Sequence, residues 1–554
     1  MQIADNFPKD ALPPRGGALD INSQLRMQQL RHRRILRQHA VSHWWPFALL
    51  IVLGSVAAGI AGQFAYDFPI YVFGPILGLV VFYLVAWRVE LGLLITAICS
   101  SPFLPKAFSA KSLDIYPAIL LLIWLFCVLL VMTAFHVKKP VLPSFWAIWP
   151  LLGLLSLAFI SNFMVQFTWT AGVPHKIYST PIIYSEIYGI ALFFLPLIVI
   201  AVTTAALTEK DDWIEFILNA FLILAILLAL FVIIQFKRIG ASVYSFRFSD
   251  PKLGYMPLKA IAQLLGLGSI IAYARFLYAT RLRTRILYGV CMVTCLLAVF
   301  FCLENSWWLE VGVALVVITL AYSRRLFLIC CTLVLPLAPL LKGEIAKLAV
   351  VKSADYYRLI IWQDSLRVWS KQPILGVGPG NFWAYDQRFT QLGLYLRQFE
   401  KTGLGVSHNG FLQMLGEVGP LGLFFYLAFI VVTTVVSARL FQRSKIKSKP
   451  SSGLLKLLDL NFSSEVEKEK RNDRILGLIG LGLICGSAVG DFTSGAFFLQ
   501  PRQIGSASGL PQIMTSWIVW GCVIYKDKLW RIAQRGFRSR RPLNILFSKE
   551  KAEE

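Results

Sequence analysis

Residues 213–236 read WIEFILNAFLILAILLALFVIIQF, and this apolar run decides the fold. A helix needs about 20 apolar residues to cross roughly 30 Å of hydrocarbon. Residues 118–135, AILLLIWLFCVLLVMTAF, form a second such run, and similar runs recur along the chain. Hydrophobic residues make up 57% of the 554 residues and charged residues only 15%, whereas a soluble domain carries about a quarter charged residues. We therefore expect an all-α fold, a polytopic transmembrane helical bundle.

The length rule predicts about fourteen transmembrane spans. Their approximate bounds are 44–62, 68–86, 90–105, 115–135, 145–161, 187–206, 213–235, 257–279, 286–303, 307–322, 326–341, 411–437, 475–490 and 509–525. The corresponding organisation is a basic tail (1–43), spans 1–11 (44–341), a long loop with short helices (342–410), span 12 (411–437), a charged insert (438–474), spans 13–14 (475–525) and a second basic tail (526–554).

The distribution of charge predicts the orientation. The net charge is +24, but the lysines and arginines cluster between apolar runs without the aromatic interleaving of a nucleic-acid-binding surface. Every second connection is basic, which is the positive-inside pattern of a membrane protein. We expect a multi-pass protein of the plasma (inner) membrane with both termini and the insert 438–474 in the cytoplasm, the insert forming a solvated linker with at most a short amphipathic helix. The loop 342–410 is then extracytoplasmic.

Several basic residues are exceptions to this pattern, because they fall on connections predicted to lie outside. They are Lys237, Arg238, Arg247, Lys252, Arg358, Arg367, Lys371, Arg388, Arg397 and Lys401. A guanidinium near the bilayer suits an anionic head group and binds diphosphate oxygens in a bidentate manner. The alternative is that large external segments tolerate charge freely.

His408 is the only histidine of the loop and precedes Asn409 at the start of an apolar run. A neutral imidazole there can accept a hydroxyl proton, although a lone histidine is more often structural.

Other patterns exclude common chemistries. The glycine-rich segment 376–380 lacks the strand, helix and spacing of a dinucleotide loop and predicts a turn. No phosphate-binding loop and no metal-ligand spacing occur, so we expect no metal and no cofactor. Glu304 and Glu310 flank Trp307-Trp308 and are interpreted as an interfacial pair.

A set of residues in the loop and the following span resembles the signature of the O-antigen ligase and O-antigen polymerase superfamily. In order, these residues are Arg358, Trp362, Pro373, Gly376, Gly378, His408, Glu417, Gly419 and Gly422. The resemblance implies a membrane glycosyltransferase of the C-type fold, in which His408 assists the acceptor hydroxyl and Arg358 and Arg247 hold the diphosphate. We expect Arg367, Tyr357, Asn409 and Glu417 to complete the binding site.

The same resemblance implies the partners and the process. A glycan on an undecaprenyl-diphosphate carrier would be transferred to a lipid or glycan acceptor during bacterial surface polysaccharide or lipopolysaccharide biosynthesis, in contact with membrane lipid and without nucleic acid. Many members carry Ser-Arg-Gly at the start of a later span, where residues 304–308 here contain no arginine. Ligase, polymerase and protein oligosaccharyltransferase activities remain open. A solute transporter and a non-catalytic scaffold are the alternatives.

Overall fold

A computed structural model describes most of the apolar part of the chain. The described residues are 69–100, 108–110, 113–115, 117–137, 140–169, 182–207, 212–238, 252–253, 256–302, 305–334, 352–379, 381–382, 409–443, 459–494 and 514–532.

Helices account for nearly all of these residues. They are α1 (Pro69–Trp87), α2 (Val89–Cys99), α3 (Pro117–Ala134), α4 (Phe145–Trp169), α5 (Ile182–Ala206), α6 (Asp212–Arg238), α7 (Leu258–Tyr278), α8 (Leu282–Phe301), α9 (Asn305–Tyr322), α10 (Arg324–Val334), α11 (Lys352–Lys371), α12 (Gly410–Arg443), α13 (Asp459–Ser494) and α14 (514–532).

Two minimal antiparallel ladders join them, which the all-α prediction did not include. β1 (Phe108–Ala110) pairs with β2 (Leu113–Ile115), and β3 (Lys252–Leu253) pairs with β4 (Met256–Pro257) just before α7.

Seven helices within the described part are long and apolar enough to cross a membrane. Helix α3 shows why these elements form: it begins with Pro117, a residue suited to the first helical position, and carries no charge over 18 residues. Shorter apolar helices also occur, among them α2 and most of α9. A polytopic helical membrane protein is therefore confirmed, whereas the count of fourteen spans stays a prediction.

Contacts divide the chain into two compact units. The first comprises Met1–Arg88 and Leu130–Lys139, in which α1 and the end of α3 are described. The second comprises Val89–Leu129 and Pro140–Glu554 and contains the remaining helices.

Helices α7 and α13 form the centre of the second unit. In their apolar segments, 83% and 78% of the residues are buried, whereas the buried share is 22–44% in the other helices long enough to cross a membrane. Helix α13 packs on α9 and α12, and α7 packs on α6, α8 and α9. Along α13, Gly482 faces Ile318 and Gly490 faces Glu310, so α9 runs antiparallel to it. Gly477 faces Phe441 and Asp491 binds Tyr426, so α12 is antiparallel to α13 as well. Helices α9 and α12 therefore run in the same direction.

Glycine spacing explains the close packing of α13 on α9. Gly482, Gly486 and Gly490 follow one another at four-residue intervals, as in the small-residue faces of membrane helices. A Cβ on Gly486 would lie 2.5 Å from the backbone oxygen of Glu310. Any larger residue at this position would push the two helices apart.

One end of this unit, which we call the basic end, carries the C-terminal ends of α9, α12 and α14. There Arg443 pairs with Asp527 at 2.5 Å, and Arg531 approaches the same carboxylate at 2.8 Å. Lys526 lies 3.5 Å from Glu469 on α13. Helix α13 begins at Asp459, so the second half of the insert 438–474, predicted to be a linker, extends this helix.

The opposite end, which we call the motif end, carries the start of α12, the start of α9 and the end of α13. Most of the sequence motifs that are described lie at this end.

Candidate functional site

Helix α12 is broken near its start. Gly419 has φ 76° and ψ −174°, a conformation essentially restricted to glycine, and Pro420 follows it. The span predicted over 411–437 lies within α12, which is long and apolar enough to cross a membrane, but this break was not predicted. Pro420 lacks the N–H that the carbonyl of Gly416 would bind in a regular helix, so the break leaves backbone acceptors to satisfy.

The glycine turn after α11 satisfies these acceptors. Val377 N–H donates to the carbonyl of Gly416 at 2.8 Å, and Gly378 N–H donates to that of Glu417 at 2.9 Å. The hydroxyl of Ser161 on α4 also donates to the Glu417 carbonyl, at 3.2 Å. The described part of the turn predicted for 376–380, residues 376–379, thus caps the first segment of α12, residues 410–418.

The turn needs glycine for two reasons. Gly376 and Gly378 have φ values of 70° and 92°, which other residues rarely adopt. A Cβ on Gly376 would also lie 2.4 Å from the backbone carbon of Glu417. The spacing P-x-x-G-x-G therefore follows from backbone conformation and close approach.

The break folds the first segment back on the rest of α12. Fifteen residues separate Phe411 from Tyr426, which would be about 22 Å along a straight helix. Their ring centroids lie 5.4 Å apart. The start of α12 consequently lies beside Tyr426, inside the bundle, and not at the far end of an extended helix.

A buried carboxylate holds this arrangement. Asp491, near the end of α13, accepts a hydrogen bond from the Tyr426 hydroxyl. A Cβ on Gly410 would lie 2.2 Å from an oxygen of the same carboxylate. Asp491 therefore joins the first residue of α12 to its long second segment.

Glu310 supplies a second buried acid at the motif end. Its side chain is 6% exposed and accepts a hydrogen bond of 2.7 Å from Ser487, one turn before Asp491 on α13. A Cβ on Gly490 would lie 2.7 Å from its other carboxylate oxygen. The interpretation of Glu310 as an interfacial residue was wrong, because α9 and α13 enclose it; Glu304 lies outside the described residues.

Three buried polar residues follow one face of the first segment of α12. Asn409 caps the helix by accepting hydrogen bonds from the N–H groups of Phe411 and Leu412, at 3.0 and 3.1 Å. Gln413 donates to the carboxylate of Glu417. Of the predicted site residues, Asn409 and Glu417 are thus placed on one helix face, where they stabilise its start and its polar side.

Helix α11 brings its aromatic side against the end of α13. The rings of Trp362 and Phe492 lie 5.3 Å apart, and Phe492 also contacts Phe411. Phe492 is 50% exposed, so this aromatic cluster has an open side. Arg367, further along α11, is 54% exposed and pairs with the buried Asp364 at 3.1 Å.

The remaining predicted site residues are only partly placed. Tyr357 and Arg358 lie in α11 about one turn before Trp362, but their side chains are not among those described. His408 and Arg247 lie outside the described residues; His408 directly precedes the Asn409 cap. Their roles stay predictions, as do those of Arg367, Asn409 and Glu417.

Sequence reasoning missed Tyr426, Asp491 and Ser487, and it named Glu310 only as an interfacial residue. A glycine–proline pair inside an apolar run indicates the bend, and the glycine repeat of α13 indicates a close helix contact. Asp491 and Glu310 accept hydrogen bonds from the hydroxyls of Tyr426 and Ser487. No group of three or more His, Cys, Asp or Glu side chains in the described part could hold a metal ion. The arginines that would bind a diphosphate, Arg247 and Arg358, are predicted site residues whose side chains are not among those described.

The segment that contains the glycine turn and the bend of α12 is similar to a known protein family. Residues 253–427 match the model of a family described as O-antigen ligase, Wzy_C, which confirms the resemblance to that superfamily. The match covers α7 to α11, the glycine turn and the bend of α12. No curated protein matches the chain. With the apolar helices, the match supports a multi-pass membrane protein of surface polysaccharide biosynthesis with a glycosyltransferase-like activity.

Proposed function

From the O-antigen ligase match over residues 253–427, we propose that the chain transfers a glycan from an undecaprenyl-diphosphate carrier to a hydroxyl acceptor on the extracytoplasmic face. The reaction takes place at the motif end, between α11 and the start of α12. The acceptor is a lipid or a second glycan, which corresponds to ligase or polymerase activity respectively.

The observation that carries the proposal is the docking of the glycine turn on the broken helix. Arg358 belongs to α11, which leads into this turn, and His408 directly precedes α12. The hydrogen bonds of Val377 and Gly378 to the first segment of α12 hold these two parts of the loop together. This docking supports a site to which both parts of the loop contribute.

The chemistry requires cations and a base. The bond between the anomeric carbon and the diphosphate oxygen breaks, and its electron pair remains on the diphosphate. Arg358 and Arg247 stabilise this charge, which is the larger demand because the leaving group is an anion. The acceptor oxygen forms the new bond to the anomeric carbon, and His408 accepts the acceptor proton.

A substitution of His408 tests the catalytic role. We expect His408→Ala to abolish transfer of glycan to the cell surface while the protein is still recovered from the membrane. His136→Ala is the matched control, because His136 lies at the exposed end of α3. Surface glycan is measured by gel electrophoresis of cells in which each variant replaces the native copy. Unchanged surface polysaccharide with His408→Ala would contradict the assignment.

A deletion strain distinguishes ligase from polymerase. Loss of long chains with a single repeat retained on the acceptor means polymerase. Long chains that accumulate on the carrier and never reach an acceptor mean ligase. A normal glycan profile contradicts both.

One observation favours a second candidate. A solute transporter uses broken helices and buried charges near its binding site, and the bend at Gly419 lies in the same helix as Tyr426, which binds buried Asp491. Uptake of a labelled sugar by the purified chain in liposomes, with no change in cellular glycans on deletion, would support a transporter instead.

A further inference from the structure

A cleft at the basic end is separate from the site described above. Its volume is about 670 Å³, and it lies between the C-terminal halves of α9 and α12 and the middle of α13. The lining residues are Val317, Leu320, Ala321, Tyr322, Ser323, Arg324, Thr434, Ala438, Phe441, Gln442, Leu481 and Cys485.

The polarity of the cleft changes along its length. Because α9 and α12 run in the same direction, Tyr322–Arg324 and Gln442 meet at its outer end, while Val317 and Thr434 lie deeper in the bundle. Seven or eight residues of helix correspond to a depth of roughly 10–12 Å. The small side chains of Ala321 and Ala438 leave the space open between the helices.

Most polar groups of the cleft are already bonded within the protein. The hydroxyl of Thr434 donates to the carbonyl of Ile430 at 2.7 Å, and that of Tyr322 donates to the carbonyl of Leu277 at 3.2 Å. Ser323 accepts a hydrogen bond from the N–H of Leu326 at 3.3 Å. The deep part of the cleft therefore presents a surface suited to hydrocarbon.

Arg324 differs from these groups. It is exposed at the outer end of the cleft, and Arg325 beside it is exposed as well. Within the part of the chain that the structure describes, neither guanidinium makes an ion pair or a hydrogen bond. The cleft thus combines an apolar interior with cations at its entrance.

We propose that this cleft binds an anionic phospholipid, with one acyl chain between α9, α12 and α13 and the phosphate group at Arg324. Basic pockets between membrane helices on the cytoplasmic side bind anionic lipid head groups, and the basic end is the one predicted to face the cytoplasm. A zwitterionic lipid offers the same chain but no net charge to match the two arginines. The lipid is a component of the protein's surroundings and is not consumed in the proposed glycan transfer.

Native mass spectrometry of the full chain in detergent tests the proposal. Phosphatidylglycerol or phosphatidylcholine of identical acyl chains is titrated, and the fraction of protein with one bound lipid is measured. We expect phosphatidylglycerol to bind more tightly, and Arg324→Gln to reduce its affinity roughly fivefold, the effect of one surface arginine on binding to an anionic membrane. Arg283→Gln, which changes an exposed arginine of α8 outside the cleft, leaves the affinity unchanged.

A second pair of variants tests the position of the acyl chain. Ala438→Phe fills the cleft and should reduce binding of both lipids, whereas Val316→Phe places the same phenyl ring at an exposed position of α9 outside it. If Ala438→Phe does not give a single size-exclusion peak, the charge variants decide the question alone. Equal affinity for the two lipids, or equal effects of Arg324→Gln and Arg283→Gln, would overturn the proposal.

Discussion

Replacement of Gly419 by alanine should destabilise the protein more than any other single methyl addition at the motif end. The residue combines φ 76° with ψ −174°, and its missing side chain leaves room for the carbonyl of Ile374. An alanine Cβ would lie 2.1 Å from that oxygen, far inside van der Waals contact. Either the bend of α12 or the glycine turn must move.

Two effects contribute to the loss of stability in Gly419→Ala. A backbone conformation reserved for glycine costs about 1–3 kcal/mol when another residue adopts it. Displacement of Ile374 also strains the hydrogen bonds of Val377 and Gly378, 2.8 and 2.9 Å long, each of which contributes about 1 kcal/mol. If both hydrogen bonds are lost, the expected loss of stability is about 3–5 kcal/mol by these figures.

Gly312 on α9 provides the matched control for this experiment. A Cβ there meets nothing within 4 Å, and alanine favours a helix over glycine by roughly 0.5–1 kcal/mol. Thermal unfolding of the detergent-purified proteins should give a lower midpoint for Gly419→Ala than for the wild type. The midpoint of Gly312→Ala should equal or exceed that of the wild type. Cells with Gly419→Ala should also lose glycan transfer, because the bend positions the start of α12. Equal midpoints for both variants and the wild type would refute the reasoning.

Three further substitutions test the packing of the same unit by thermal unfolding. Gly486→Leu should separate α9 from α13, since even a Cβ would lie 2.5 Å from the oxygen of Glu310; the same change at the open Gly312 should have little effect. Tyr426→Phe removes the hydroxyl that donates to buried Asp491 and should cost about 1–3 kcal/mol, and an unchanged midpoint would mean that this bond contributes nothing. Asp527→Asn weakens the attraction to two arginines at the basic end and should lower the midpoint; high salt should reduce the difference if screening reaches the pair.

The type and position of the helices could be predicted because apolar length is a local property. The predicted span 213–235 corresponds to Asp212–Arg238, and 257–279 corresponds to Leu258–Tyr278. The bend of α12 was missed for the opposite reason. The run remains apolar on average despite Gln413 and Glu417, and only the pair Gly419-Pro420 marks the break.

The placement of the acids could not be predicted from local pattern. A glutamate near the start of an apolar helix, such as Glu310, is typical of an interfacial residue. Glu310 is buried instead because it contacts a residue on another helix. That partner, Ser487, is 177 residues away. The repeat of small residues in α13 predicts a close helix contact but not which helix makes it, so the correct reading depends on tertiary structure.

Several unusual features of the second unit lie together at one end of the bundle. The glycine-only conformation at 419, the two left-handed glycines of the turn and both buried acids of α9 and α13 lie at the motif end. The basic end instead carries ordinary ion pairs, such as Arg443–Asp527, that need no backbone strain. Proteins depart from regular packing mainly where function requires it. That asymmetry favours chemistry at the motif end independently of the family match. Because Gly419→Ala disturbs this end, we expect it to reduce activity.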